Sequence, residues 1–432
     1  MRSAPRKSVE QDYEEAVSFL YSLERFGILL GLENIELLLH KLGDPQHRFR
    51  VVHVAGSNGK GSTSAFISEI LRSAGLRTAL YTSPHLNDFR ERIRIDGRMI
   101  SKEALTASTA KIRALYDPER TTFFEFTTAV AFDCIALAEP DMAVIEVGLG
   151  GRLDATNTVR PTVTVITDIS REHEDYLGVG FASVAREKAG IIKHKVPLIT
   201  GAARKEARGV ILEAARAAEA PVKEFGRDFR GVRTGDNTFT HQSARMKLEN
   251  VRLGMLGSYQ IKNASLAIAV AEELAAQGYS VSEDAMRAGA RNTKFPGRFE
   301  VLRRNPLVVI DGAHTPEGMK LLKSTVKRVF PGVRPLMLLG MLKDKNYRTL
   351  VNIIAPLARE VICVPPQGDR ALNPKELADL VRRLGVPAEA SSSITEGFSR
   401  LLEKASTEDL ILAAGSLYMI GPVRQACGVR DD

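Results

Sequence analysis

Cysteine is scarce in this chain: Cys134, Cys363 and Cys427 stand far apart, with no CxxC pair and no histidine at ligand spacing. Neither a disulfide framework nor a thiolate zinc site is supported, and the cytoplasm is the expected compartment. An apolar signal core is also missing, since Met1-Arg-Ser-Ala-Pro-Arg-Lys7 runs into the charged Glu10-Gln-Asp-Tyr-Glu-Glu15, and no later apolar run approaches a membrane span. A soluble, unprocessed protein with no membrane partner is expected. Fixed-period repeats and long biased linkers are absent too, so the chain reads as ordered almost throughout. Charge of one sign is in only mild excess, 60 Lys and Arg against 52 Asp and Glu for a net +8. That balance suits an anionic ligand without requiring nucleic acid.

What is present is an ordinary globular composition, 44% hydrophobic and 26% charged over 432 residues. That length is two to three times the usual domain, so two or three domains with a cleft are expected. From Arg50 the chain repeats an apolar β-rich run, a Gly turn and an amphipathic helix: Val51–Ala55, then Thr63 to Ala74, then Thr78–Tyr81, later Met142–Val147 and Thr162–Ile166. Short buried strands alternating with helices predict a mostly parallel α/β sheet. Between Phe225 and Arg252 short alternating runs with Gly and Asn turns predict a small antiparallel patch. Pro296-Gly297 then breaks the chain and opens a second, smaller βα series with strands at Leu307–Asp311, Pro335–Gly340, Glu360–Val364 and Asp409–Ala414. The domain boundary is placed there, giving residues 1–296 and 297–432.

The sharpest chemical signal is Ala55-Gly-Ser-Asn-Gly-Lys-Gly-Ser-Thr63, between a strand and a helix. Backbone N–H groups of such a turn, with the helix N-terminus behind them, stabilise a phosphate, and Lys60 adds a positive charge. The candidate phosphate-binding residues are Gly56, Asn58, Gly59, Lys60, Gly61 and Ser62. The loop departs from the common P-loop, whose first glycine would fall at Val54, and Gly61 is inserted before Ser62. Glu146 ends an apolar strand at the edge where open α/β sheets bind ligands. It and Ser83 are hard oxygen donors of the kind Mg²⁺ takes.

This variant loop resembles that of the Mur ligase superfamily, ATP-dependent enzymes joining an amino acid to a carboxylate. Further blocks narrow the resemblance to the folylpolyglutamate synthase/dihydrofolate synthase family: Gly31-Leu-Glu-Asn-Ile35, Tyr81-Thr-Ser-Pro-His-Leu86, Phe89-Arg-Glu-Arg-Ile93 and Glu146-Val-Gly-Leu-Gly-Gly-Arg-Leu-Asp-Ala-Thr-Asn157. Glu187-Lys-Ala-Gly-Ile191, Gly257-Ser-Tyr-Gln-Ile-Lys-Asn263, Phe295-Pro-Gly-Arg298, Asp311-Gly-Ala-His314 and Gly415-Ser-Leu-Tyr418 continue it in family order. Two positions depart from the pattern. Glu172 stands where the family usually has Asp before His173, and Thr315-Pro316 where it usually has Asn-Pro.

The resemblance implies an N-terminal P-loop-type ATPase domain with the folate site, and a smaller Rossmann-like α/β domain that takes glutamate. It implies two Mg²⁺ ions, with Mn²⁺ as a substitute: Ser83 and Glu146 on the ion bridging the β- and γ-phosphates, His173 and Lys188 on the second. Lys188 would be carbamylated by CO₂ and so become an anionic oxygen ligand. Asn263, Arg298 and Asp311 match positions for adenine, phosphate and ribose, and His314 and Ser416 lie in blocks near the incoming glutamate. Taken alone, Ser416 reads equally well as a helix N-cap after a strand. For the pterin the family suggests Phe124, Asp154 and Ala155, an aromatic face to stack on the heterocycle and a carboxylate to accept its N–H donors.

The implied reaction is ATP-dependent addition of L-glutamate to dihydropteroate or a reduced folate through an acyl phosphate, by a cytoplasmic monomer acting on small molecules only. Lys60, Lys188 and His314 are its catalytic candidates, and Phe295–Arg298 offers a hinge for closure. A cell-wall Mur ligase is the alternative within enzymes, and a P-loop nucleotide switch the alternative outside them. Lys343-Asp-Lys-Asn346 is not the Asn-Lys-x-Asp of guanine readers, and no basic-aromatic stripe suggests strand binding.

Overall fold

The computed structural model describes residues 8–27 and 30–429. The basic start Met1–Lys7, read above as lacking a signal core, lies outside the described residues. Among those described, no helix is long and apolar enough to cross a membrane. The chain forms two compact units, one of Met1–Val232, Phe239–Arg252 and Lys262–Thr293, the other of Arg233–Thr238, Leu253–Ile261 and Lys294–Asp432.

The first unit is built on eight strands: β1 Val51–Ala55, β2 Thr78–Tyr81, β3 Ile93–Ile95, β4 Arg98–Met99, β5 Met142–Glu146, β6 Pro161–Ile166, β7 Leu198–Thr200 and β8 Val222–Glu224. Their spatial order is β4-β3-β2-β5-β1-β6-β7-β8. From β2 to β8 every neighbouring pair is parallel, and β3 and β4 extend the edge by antiparallel pairing. The expected parallel sheet is therefore present. Every residue of β1 and β5 is buried, as the near-continuous apolar runs of strands covered on both faces require. One core cluster sets Phe126, Val130 and Phe132 with Ala143 and Ile145, and another sets Val184, Ala185 and Ile211 with Ile166 and Leu198.

Helix Phe123–Ala138 illustrates how local sequence fixes an element that carries site residues. Glu125 N–H donates to Thr122 Oγ1 at 3.3 Å, and Thr122 N–H donates to Glu125 Oε2 at 2.8 Å, a reciprocal cap satisfying two groups that the helix itself leaves open. Thr122→Ala should cost about 1 kcal/mol. In scanning calorimetry the expected result is a midpoint about 1–2 °C lower, with Thr122→Ser close to the parent.

The antiparallel patch appears as β9 Phe229–Arg233, β10 Thr238–Ser243 and β11 Lys247–Arg252, in the order β11-β10-β9. The second unit has six strands: β12 Glu300–Arg304, β13 Leu307–Asp311, β14 Leu336–Leu339, β15 Glu360–Cys363, β16 Ala388–Ala390 and β17 Leu410–Ala414, in the order β12-β13-β17-β14-β15-β16. Only β12 is antiparallel to its neighbour. Met319, Met337, Leu339, Val361 and Leu412 belong to its core.

Candidate active site

In the first unit β1 ends at Ala55 and the next helix starts at Lys60, so Gly56–Gly59 must turn strand into helix within four residues. Gly59 does so at φ 84°, a conformation L side chains rarely adopt, and a Cβ there would lie 2.5 Å from Asn263 Oδ1. Asn263, the adenine candidate, thus abuts the phosphate loop. Thr167 Oγ1, just past β6, donates to Asn58 O at 2.7 Å, and Asn58 Nδ2 donates to Ser170 Oγ at 2.6 Å. The first helical bond runs from Thr63 N–H to Gly59 O at 2.9 Å, so Lys60, Gly61 and Ser62 form the turn whose amides head the helix. Lys60 Nζ donates to Gly56 O at 2.8 Å.

Lys188 reaches the same carbonyl. Its fully buried Nζ donates to Gly56 O at 2.9 Å and lies 2.7 Å from Glu172 Oε1. Burial lowers the pKa of Lys188 while Glu172 opposes the shift. Burial would by itself raise Glu172, yet the charges of Lys188 and Lys60 outweigh it and hold the carboxyl at about 2. His173 adjoins this pair as the residue before helix Glu174–Leu177, at φ 47°.

At the end of β5, Glu146 is buried, and its Oε2 accepts the backbone N–H of Ser83 at 3.2 Å. The four metal candidates therefore fall into two places at the carboxyl edge of one sheet, Ser83 with Glu146 and Lys188 with His173 and Glu172. Among the described residues no three His, Cys, Asp or Glu side chains converge. A buried carboxylate beside a serine is still a hard oxygen donor set that fits Mg²⁺ or Mn²⁺. Glu172, where the family usually has Asp, is the ion-pair partner of Lys188, a pairing that no spacing in the sequence signals.

The pterin candidates gather beside Glu146. A Cβ on Gly148 would lie 2.3 Å from Phe124 Cζ, so glycine alone lets this loop approach the ring so closely. Asp154 accepts Leu149 N–H through Oδ2 at 2.7 Å and Thr156 N–H through Oδ1 at 3.0 Å, which fixes the loop containing the buried Ala155. Burial raises the Asp154 pKa. A separate cavity of about 720 Å³, lined by residues such as His47, Arg160 and Lys193, contains none of the candidate residues. Chemistry, not cavity size, locates the site.

In the second unit, Asp311 ends β13 and is buried, with Oδ1 accepting Ala313 N–H at 2.8 Å and Oδ2 accepting Phe299 N–H at 2.9 Å. Burial raises its pKa, while Arg298 opposes that shift. Tyr259 Oη, within the Gly257–Asn263 block, donates to Asp311 Oδ2 at 3.4 Å, a contact that the motif alone does not signal. His314 Nδ1 is 2.8 Å from Gly312 O, and because a carbonyl only accepts, Nδ1 holds the proton. Ser416 Oγ accepts Tyr418 N–H at 3.2 Å, capping helix Leu417–Ala426.

With this geometry established, the chain matches the Mur ligase middle domain over residues 54–271 and the Mur ligase glutamate ligase domain over residues 297–417. It is 34% identical over 427 residues to the dihydrofolate synthase/folylpolyglutamate synthase of Bacillus subtilis, covering 96% of this chain and 98% of that protein. A probable bifunctional folylpolyglutamate synthase/dihydropteroate synthase of Haloferax volcanii is 37% identical over 426 residues, but this chain spans only 50% of its length. Among solved structures, Escherichia coli FolC in complex with DHPP and ADP superposes with a TM-score of 0.89 at 31% identity, covering 98% of this chain and 99% of that one. A bifunctional folylpolyglutamate synthase/dihydrofolate synthase with Mn, AMPPNP and L-glutamate bound gives 0.86 at 30% identity, covering 96% and 98%. The chain belongs to the folylpolyglutamate synthase/dihydrofolate synthase family of the Mur ligases.

Proposed function

We propose that this protein is an ATP-dependent ligase adding L-glutamate to dihydropteroate and to reduced folates and their polyglutamates. The observation that carries the reading is one sheet edge holding the Gly56–Ser62 loop with Lys60, the Ser83–Glu146 pair and the Phe124 ring against Gly148. An oxygen of the acceptor carboxylate attacks the γ-phosphorus of ATP and ADP leaves, giving an acyl phosphate. The glutamate amine then attacks the acyl carbon, phosphate leaves, and the amine loses a proton to give the amide.

Each group has a defined task in this scheme. The loop amides orient the transferring phosphoryl group, and Lys60 offsets the charge that develops on it. Ser83 and Glu146 would hold one divalent ion and His173 with a carbamylated Lys188 a second, and such ions, when bound, neutralise phosphate charge. Phe124 offers its face to the pterin. Asp154 also keeps Ala155 and the loop in place, through bonds it already makes. Asn263, Arg298 and Asp311 are assigned to adenine, phosphate and ribose. Residues 297–432 are assigned to glutamate through His314 and Ser416, and residues 1–296 to ATP and folate. The reading brings with it a cytoplasmic monomer acting on small molecules only.

Glutamate-dependent ADP release tests the proposal. Dihydropteroate and a reduced folate should each support it, and each should need ATP and Mg²⁺. Product from the folate alone would remove the dihydrofolate synthase half, and release supported only by a nucleotide-linked muramyl acceptor would favour the cell-wall alternative.

A further inference from the structure

Three lysine or arginine side chains among the described residues are more than nine-tenths buried: Lys188 at 1%, Arg424 at 3% and Arg92 at 6% exposure. Two of them have carboxylates, Lys188 with Glu172 at 2.7 Å and Arg424 with Glu300 at 3.1 Å. Arg92 has none among the described residues. Its Nε donates to His85 Nδ1 at 2.8 Å, and its guanidinium sits over Phe89 at 5.3 Å and Phe123 at 5.4 Å. A ring nitrogen accepting from a guanidinium bears no proton, so His85 is neutral, with its proton on Nε2 facing Tyr21 Oη at 2.7 Å.

A buried guanidinium surrounded by two aromatic faces and a neutral imidazole lacks the counter-charge that makes burial tolerable. Its Nη1 and Nη2 groups form the edge that pairs with a carboxylate in bidentate fashion. The position says which molecule supplies that carboxylate. The Arg92 carbonyl accepts Thr82 N–H at 2.9 Å, next to the metal candidate Ser83, and Phe123 immediately precedes the pterin candidate Phe124. Arg92 directly precedes β3, and the order β3-β2-β5-β1 puts it three strand spacings, roughly 14 Å, from the phosphate loop. The carboxylate attacking ATP must meet the γ-phosphate, so the carboxylate on Arg92 is a different one.

We propose that Arg92 binds the non-reacting α-carboxylate on the glutamyl group of a folate-type acceptor, an inference that rests on the ligase reading above. Tyr21 and His85 are positioning residues: the Tyr21 ring stacks on Phe123 with centroids 6.2 Å apart and planes within 7°, and His85 fixes the guanidinium plane through Nε. Dihydropteroate, which has a single carboxylate, cannot use this contact.

A ligand–residue cycle tests the assignment. The acceptors are tetrahydropteroyl-L-glutamate and its 4-aminobutyrate analogue, which keeps the reacting γ-carboxylate and lacks the α-carboxylate. KM and kcat are measured for the parent and for Arg92→Gln. In the parent, loss of the α-carboxylate should raise KM about tenfold or more. Arg92→Gln should raise KM for the glutamate compound by a similar factor, change kcat less, and show no further loss with the analogue. Arg92→Lys should fall between them, and it serves the same cycle if circular dichroism shows Arg92→Gln unfolded. An α-carboxylate effect that persists undiminished in the variant overturns the proposal, as does an equal KM for both acceptors in the parent. A parent enzyme that turns over neither acceptor instead removes the ligase reading itself.

Discussion

Replacing Lys60 with alanine should abolish ATP turnover, with kcat falling by roughly 10³-fold or more, while the fold persists. Phosphoryl transfer gives the protein little covalent work, so positioning and charge stabilisation supply most of the rate. Lys60 opens the helix behind the phosphate loop, and among the described residues its side chain bonds to Gly56 O, which ties it to that loop and not to a core partner. Its charge is also one of those that hold the Glu172 carboxyl down. Alanine is a good helix former and leaves no buried polar group there, so circular dichroism and the melting midpoint should stay near the parent. The check is glutamate-dependent ADP release beside those two fold measurements. A folded Lys60→Ala with near-normal kcat would remove the phosphate assignment and, with it, the ligase reading.

Legibility in the sequence followed burial and regularity. The runs Val51–Ala55, Thr78–Tyr81, Leu307–Asp311 and Asp409–Ala414 are each found as strands within a residue, because a strand buried on both faces reads as an unbroken apolar run. β12 went unread since its Glu-Val-Leu-Arg-Arg has the polar texture of an edge, and β16 is only three residues long. The position of Glu146 at the end of β5 was legible because the carboxyl edge is where a parallel sheet exposes chemistry. Pairings across the chain were not. Nothing in Arg171-Glu-His-Glu-Asp175 tells which carboxylate meets a lysine sixteen residues on, and no spacing rule links Tyr259 to Asp311 or Arg92 to His85. Asp154 and Ser416 differ in this respect. The backbone N–H groups that Asp154 accepts from Leu149 and Thr156 were not legible, whereas the N-cap reading of Ser416 is met by the bond it accepts from Tyr418 N–H.

Lys188 should carry a carbamate in the active enzyme. A lysine amine adds to CO₂ only when neutral: the nitrogen lone pair attacks carbon, one proton is released, and a carboxylate is left on Nζ. At an ordinary pKa of about 10.4 almost no neutral amine exists at physiological pH. Burial of Lys188 moves its pKa down, which favours the neutral form. Glu172, 2.7 Å away, pulls the other way by stabilising the ammonium. A divalent ion bound beside His173 and Glu172 would decide between them, because a cation repels the ammonium and attracts the carbamate oxygens, in a place where water screens little. Lys188→Ala should then lose most activity, about 10²-fold or more, and recover part of it with added acetate, whose carboxylate can occupy the vacated volume. Lys188→Arg should not recover, since it fills that volume with a permanent positive charge. Native mass spectrometry in bicarbonate buffer should show the added CO₂ on the parent and not on Lys188→Arg. A bare amine there, together with a fully active Lys188→Arg, would mean that the Lys188–Glu172 ion pair is itself the working form.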